Sequence, residues 1–162
     1  MIEPTATGPD SDGEKNHLGA LAPSQILYLQ QGEQRLYVEL IQILRDRNMG
    51  WLRPLCLCSP VTHPIVQTPH VNSQSIELIQ SSSDAPSSTH IICDGITFKL
   101  QDMRQSADLL WPLTQCQIVL DIEAIPILTG LGPEPTPWET REETRQSLNV
   151  FMNRMWSGTT SG

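Results

Sequence analysis

Aromatic residues make up only 5% of this 162-residue chain, charged residues only 17%, and no apolar run approaches the ~18 residues that a helix needs to cross a bilayer. A membrane-spanning helix is therefore excluded. The first thirty residues also lack a basic segment followed by an apolar one, so no export signal is expected and the chain reads as cytoplasmic. Hydrophobic residues reach 38%, below the roughly 45–50% of an average globular chain, which predicts that part of the sequence stays outside the packed core. Cations are scarce as well: 10 Lys and Arg face 18 Asp and Glu, giving a net charge of −8. Such a field repels phosphate backbones and anionic headgroups, so nucleic acid is the less favoured partner.

The motifs of common chemistries are missing too. No Gly-x-Ser-x-Gly elbow occurs, and no cysteine sits in a protease-like setting. Neither Gly-x-Gly-x-x-Gly nor Gly-x-x-x-x-Gly-Lys appears, so no backbone cradle for phosphate is expected. Of the four histidines, His17 lies in an acidic arm, His63 and His70 lie among prolines, and His90 begins a strand, where a rim position is expected rather than a general base. The acids Glu39, Glu77, Asp94, Asp102, Asp108, Asp121 and Glu123 show no spacing that selects a catalytic pair; a solvated surface explains them. No catalytic residue and no cofactor is expected, although a cryptic polar cleft would escape a sequence search.

Cys56, Cys58, Cys93 and Cys116, without an export signal, are expected as reduced thiols. Cys56 and Cys58 are separated by one residue, where zinc units ordinarily have two or more. On a strand both thiols would share a face, and a metal site completed by Cys93 or Cys116 competes with packing as small buried hydrophobes. The latter is favoured.

What is present points to strands. Residues 1–23 carry Pro4, Gly8, Pro9, Gly13 and Gly19 among acids, with too little apolar surface to offset ordering. They are expected as a disordered acidic tail, the alternative being a docking peptide that engages through Leu18 and Leu21. A β-rich core domain is expected over 24–131. Leu36, Val38 and Leu40 alternate with Tyr37 and Glu39, after which the phase slips to Ile41 and Ile43, as a bulge near Leu40 would produce. The turn Arg45–Gly50 and the run Trp51–Cys58 complete a long hairpin. A helix over Gln34–Arg47 fits Leu36, Leu40, Ile43 and Leu44 and is the rival. Pro54 lacks an amide proton, so its strand lies at an edge or bends there.

Between Ser59 and Thr89 the composition is loop-like, apart from a short strand candidate at Ile76–Ile79. Asp94-Gly95 predicts a two-residue turn between strands His90–Cys93 and Ile96–Leu100. Ala107–Trp111, stopped by Pro112, and Gln117–Leu120 are further strand candidates. Asp121 is expected to cap a short helix from Ile122 to Leu128, interrupted by Pro126 and ended by Gly130. Residues 132–136 form a Pro-rich linker. A capping box of Thr136, Pro137 and Glu139 then opens an amphipathic helix over 137–156, with Leu148, Phe151, Met152 and Met155 on one face; 157–162 form a loose end. The fold class expected is mainly β: a small bent sheet or SH3-like barrel, a C-terminal α-helix and a disordered N-terminal tail.

Trp51, Trp111, Trp138 and Trp156 are of a type enriched at protein contacts, and Arg45, Arg47, Arg53 and Arg104 gather positive charge on the β-rich segment. A partner-binding face is expected, its alternative being that Trp51 and Trp111 are core residues.

Leu36 to Leu57, with Trp51-Leu52-Arg53-Pro54-Leu55 at its centre, resembles a family of short cyanobacterial proteins. So do Asp108-Leu109-Leu110-Trp111-Pro112 and Leu120-Asp121-Ile122-Glu123-Ala124-Ile125-Pro126-Ile127-Leu128. That family is the carboxysome assembly factor. The resemblance covers about two thirds of the chain. It implies a non-catalytic chaperone or adaptor, engaging the C-terminal tail of a hexameric carboxysome shell subunit in support of photosynthetic carbon dioxide fixation, and a location in the cytoplasm beside the carboxysome. No motif of that family transfers residue by residue. Trp51, Leu55, Leu109 and Trp111 are instead chosen as the binding residues because adjacent bent strands bearing aromatics make a slot for a peptide. The alternative function is a small-barrel RNA-binding or ribosome-associated factor using the same aromatics and arginines.

Overall fold

The computed structural model describes residues 21–61, 78–79, 88–93, 96–135 and 141–159. Residues 1–20, which hold most of the expected acidic tail, lie outside these, as do the capping box and Asp94-Gly95.

The chain is mainly β. Among the described residues, eight strands, β1 Ile26–Gln31, β2 Gln34–Leu44, β3 Met49–Pro60, β4 Leu78–Ile79, β5 Ser88–Cys93, β6 Ile96–Asp102, β7 Leu109–Pro112 and β8 Gln117–Ile118, build one antiparallel sheet. The order β4-β5-β6-β3-β2-β1-β8, with β7 also on β3, has two ends, so the sheet is open and the barrel form of the expectation does not apply. Two helices follow, α1 Asp121–Leu131 and α2 Arg141–Thr159.

The β2–β3 hairpin forms in place of a helix. Its register runs from Arg35 opposite Cys58 to Leu44 opposite Met49, with shifts at Tyr37/Val38 and Leu40/Gln42. The second shift is the phase slip visible in the sequence, Ile41 being the extra residue. The first accommodates Leu55, next to Pro54. β3 is central rather than an edge: β6 pairs with its end from Cys56 to Pro60, and β7 pairs with its beginning from Met49 to Leu52. Pro54 lies opposite the gap between β6 and β7, where a missing amide proton costs least. The β5–β6 register closes with Cys93 opposite Ile96, a two-residue connection as the sequence predicts.

β1 was not expected. It pairs along its length with β2 through a two-residue turn that begins at Gly32, whose φ of 57° a side chain would strain.

Period-2 alternation sends apolar side chains to both faces of the sheet, and each face receives one helix. Leu27, Leu29, Leu36, Val38, Leu40, Leu52 and Leu57 form one face, under Leu148, Phe151 and Met155 of α2 together with Met103, Trp111 and Leu113. The C-terminal helix thus packs on its own sheet. Tyr37, Cys56, Cys58, Ile91 and Leu100 form the other, under Val119, Ala124 and Ile127 at α1. Burying each large apolar side chain contributes about 1.5–3 kcal/mol, so the faces, not propensity, hold both helices.

α1 is longer than expected. It begins after Leu120, with Asp121 inside its first turn, continues through Pro126, and ends at Gly132, where φ is 70°. Gly130 is a packing residue: a Cβ there would sit 3.0 Å from Leu100 Cδ1 and 3.4 Å from Ile91 Cγ2.

Candidate interaction surface

The four residues chosen from sequence do not form one slot. Trp51 is 45% exposed and pairs with exposed Leu110, whereas Trp111, 6% exposed, lies opposite Gly50 and is a core residue. The Trp111 indole nitrogen donates to Gln115 Oε1 at 3.0 Å, and its ring meets Trp156 edge-on with centroids 5.5 Å apart. Leu109, opposite Leu52, packs against the same core. Leu55 is buried in the bulge, its carbonyl accepting from the Met103 amide at 2.8 Å. Successive residues of β7 point to opposite sides of the sheet, which divides the set. Of the four, only Trp51 is exposed, Leu109 being half-buried; the Trp51 indole nitrogen donates to Asp108 Oδ2 at 2.8 Å.

The arginines divide as well. Arg45 and Arg47 stand at the exposed hairpin tip, and Arg53 Nε lies 3.5 Å from Asp108. Arg104 is a structural clamp. Its guanidinium forks onto the Asp102 carboxylate and donates to the carbonyls of Leu131 at 3.1 Å, Gly132 at 3.0 Å and Glu134 at 2.8 Å. A cation at a helix C-terminus satisfies carbonyls that have no partner within the helix.

The other end of α1 is held by Glu123. Its Oε1 accepts from Arg35 Nη1 at 2.7 Å and from the Tyr37 hydroxyl at 2.6 Å. Arg35 also lies over the Tyr28 ring, and the Tyr28 hydroxyl donates to Gln117. Burial, then the bond to Glu123, pushes the Tyr37 hydroxyl far above its ordinary range. A phenol so held is a latch between sheet and helix, not an acid available near neutrality.

The thiols fit packing better than metal binding. Cys56 and Cys58 are buried on the α1 face, whereas Cys116 packs toward the α2 face, where its Sγ lies 3.6 Å from the Pro112 carbonyl. Burial raises the Cys56 thiol well above its usual value and pushes Cys116 up to about 12. The Cys93 side chain lies outside the described residues. Among those residues, no group of three His, Cys, Asp or Glu is arranged to hold a metal ion.

Among the described residues, a run of exposed apolar side chains on α1 was missed by sequence reasoning. While Ala124 and Ile127 face the sheet, Leu120, Ile122, Ile125 and Leu128 point outward at 67, 81, 63 and 39% exposure. The last three recur every third residue and cover about a third of the helix circumference. A helix that is apolar on both sides ordinarily lies buried between two layers, and among the described residues α1 has a layer on one side only. Its signal was the sequence Asp121–Leu131 itself, which lacks a polar face. With Arg104 and Glu123 at its ends and Gly130 against Leu100, this helix is fixed in position and presents a rigid ridge.

No helix among the described residues is long and apolar enough to cross a membrane. Compared with known proteins, the chain matches no family model, no curated protein and no solved structure.

Proposed function

We propose that this chain is a non-catalytic protein-interaction or assembly factor, and that it meets its partner through the outward ridge of α1. The observation that carries this is the set Leu120, Ile122, Ile125 and Leu128, aliphatic and uncovered on a helix clamped at both ends. Contiguous exposed apolar patches are costly in water and mark contact sites. Rigid presentation helps, since little conformational entropy is lost on binding. Trp51 and Leu110, exposed opposite one another across β3 and β7, are a smaller second patch.

The resemblance to the carboxysome assembly factor family supplies a specific partner for this role, the C-terminal tail of a hexameric shell subunit, with a site of action in the cytoplasm at the carboxysome. A labelled tail peptide titrated against the chain and against Ile122→Gln/Ile125→Gln tests both parts. Binding lost in the double variant supports the ridge and the partner together; binding equal in the two proteins removes the ridge; no binding removes the shell tail. Capture of partners from native cells with the same pair of proteins tests the ridge without assuming a partner. The expected result is a protein retained by the native chain and lost from a double variant that is folded.

A further inference from the structure

The segment that forms α1 carries acidic side chains and no basic ones of its own. Between Cys116 and Pro135 the sequence places Asp121, Glu123 and Glu134 and no Lys or Arg. Glu123 is engaged by Arg35 and Tyr37, but Asp121 and Glu134, at the two ends of the helix, are exposed and make no ion pair among the described residues. Arg35 and Arg104, which bond to the α1 segment, are engaged by Glu123 and Asp102. A binding segment therefore meets aliphatic side chains in the middle and, at the two ends, the exposed carboxylates of Asp121 and of Glu134, the second within electrostatic reach of Arg104.

We infer that the occupant of this face is an amphipathic helix with an aliphatic stripe flanked by Lys or Arg. The inference rests on the reading of α1 as a contact face and adds the chemistry of what covers it. From Leu120 to Leu128 the ridge is about 12 Å long at 1.5 Å per residue, enough for about two turns of a facing helix. Branched side chains spaced three apart form a row into which the side chains of such a helix interdigitate. Basic flanks complement Asp121 and Glu134 and are drawn by the net charge of −8. That charge opposes the other simple occupant. A second copy would bring identical acidic ends and another −8 to the contact.

The test uses three fluorescent helical peptides and the full chain: one with a Leu stripe and Lys flanks, the same stripe with Glu flanks, and the Lys-flanked composition with the stripe scrambled. The expected result is binding of the first peptide about tenfold or more tighter than either control, weakening as salt rises. Ile122→Gln/Ile125→Gln is expected to reduce this affinity about tenfold or more while circular dichroism and melting stay as in the native chain, because both side chains are exposed. Asp121→Asn/Glu134→Gln is expected to narrow the preference for Lys over Glu flanks several-fold.

Equal binding of the Glu-flanked peptide overturns the basic partner and leaves the contact face standing. Equal binding of the scrambled peptide reduces the effect to unspecific charge attraction and overturns the helix. Sedimentation showing a reversible dimer that the double Gln variant abolishes makes a second copy the occupant and overturns the inference. If no peptide binds, no dimer forms and partner capture survives the double Gln substitution, the contact face itself is wrong, and the inference falls with it.

Discussion

Arg104→Ala removes the clamp at the C-terminal end of α1, and its cost can be worked from the contacts. The guanidinium gives up three bonds to the Asp102 carboxylate and the donations to the Leu131, Gly132 and Glu134 carbonyls. The Asp102 side chain is 7% exposed and that of Arg104 20%, so the pair is largely withdrawn from water. Truncating one partner of a fully buried pair costs about 3–5 kcal/mol, and the residual access of Arg104 reduces this to about 2–4 kcal/mol. For a chain of this length that corresponds to a fall in Tm of about 5–12 °C. Arg104→Lys keeps the charge but not the planar fork, and less than half of the loss is expected back. Thermal and urea unfolding measure the loss, and amide exchange locates it, with protection falling in the last turn of α1 before it falls in β2. A change below about 0.5 kcal/mol, or full rescue by Lys, would refute the reasoning, since surface substitutions without a structural role stay within that range.

Gly130→Ala gains about 1 kcal/mol of helix propensity but forces a Cβ to 3.0 Å from Leu100 Cδ1, so a net loss of stability is expected by denaturant unfolding, against the rank order of helix formers. Trp111→Ala is expected to cost about 3–5 kcal/mol through its buried contacts, while Trp51→Ala, from a half-exposed site, costs under about 1 kcal/mol; calorimetry of the two separates core from surface. Stability should fall as pH rises above about 9. Burial raises Cys56, Cys116 and Tyr37 in the folded chain, so the unfolded chain loses these protons first, and its stability declines by about 1.4 kcal/mol per pH unit for each group until the folded group also ionises, near 12 for Cys116. Urea midpoints that stay flat from pH 8 to about 10.5 would contradict the buried thiols.

The alternation of Leu36, Val38 and Leu40, the slip at Ile41 and the Asp94-Gly95 dipeptide made most of the sheet legible, because each states a local geometric demand. β1 was less legible. Ile26 to Leu29 is a short apolar run followed by Gln30 and Gln31 without alternation, and its strand character depends on β2 lying beside it. The choice between barrel and open sheet depends on whether distant edges meet, and no local pattern carries that. Pro54 announced an interruption correctly, yet its central position was hidden, since the gap between β6 and β7 is supplied by residues roughly fifty positions downstream.

The candidate site was legible in kind and not in place. Trp51 and Trp111 look alike in sequence, and only the register of β7 on β3 sends one outward and the other under α2. Arg104 looked like part of a binding face, although its partners are carbonyls more than twenty-five residues away. The helix at Asp121 was visible, but Pro126 and Gly130 made it look shorter than it is. Had its full length been granted, the apolar residues on both sides would have pointed to exposed aliphatic side chains on its outer side.

Site-directed photocrosslinking in the native cell tests the central claim most directly, with a photoreactive aliphatic residue at Ile125 on the ridge of α1 and, separately, at Val150, an equally apolar exposed position on α2. The account predicts a discrete protein adduct from position 125 and none from position 150. Adducts of the same mass and yield from both positions, or an adduct from position 150 alone, would contradict it.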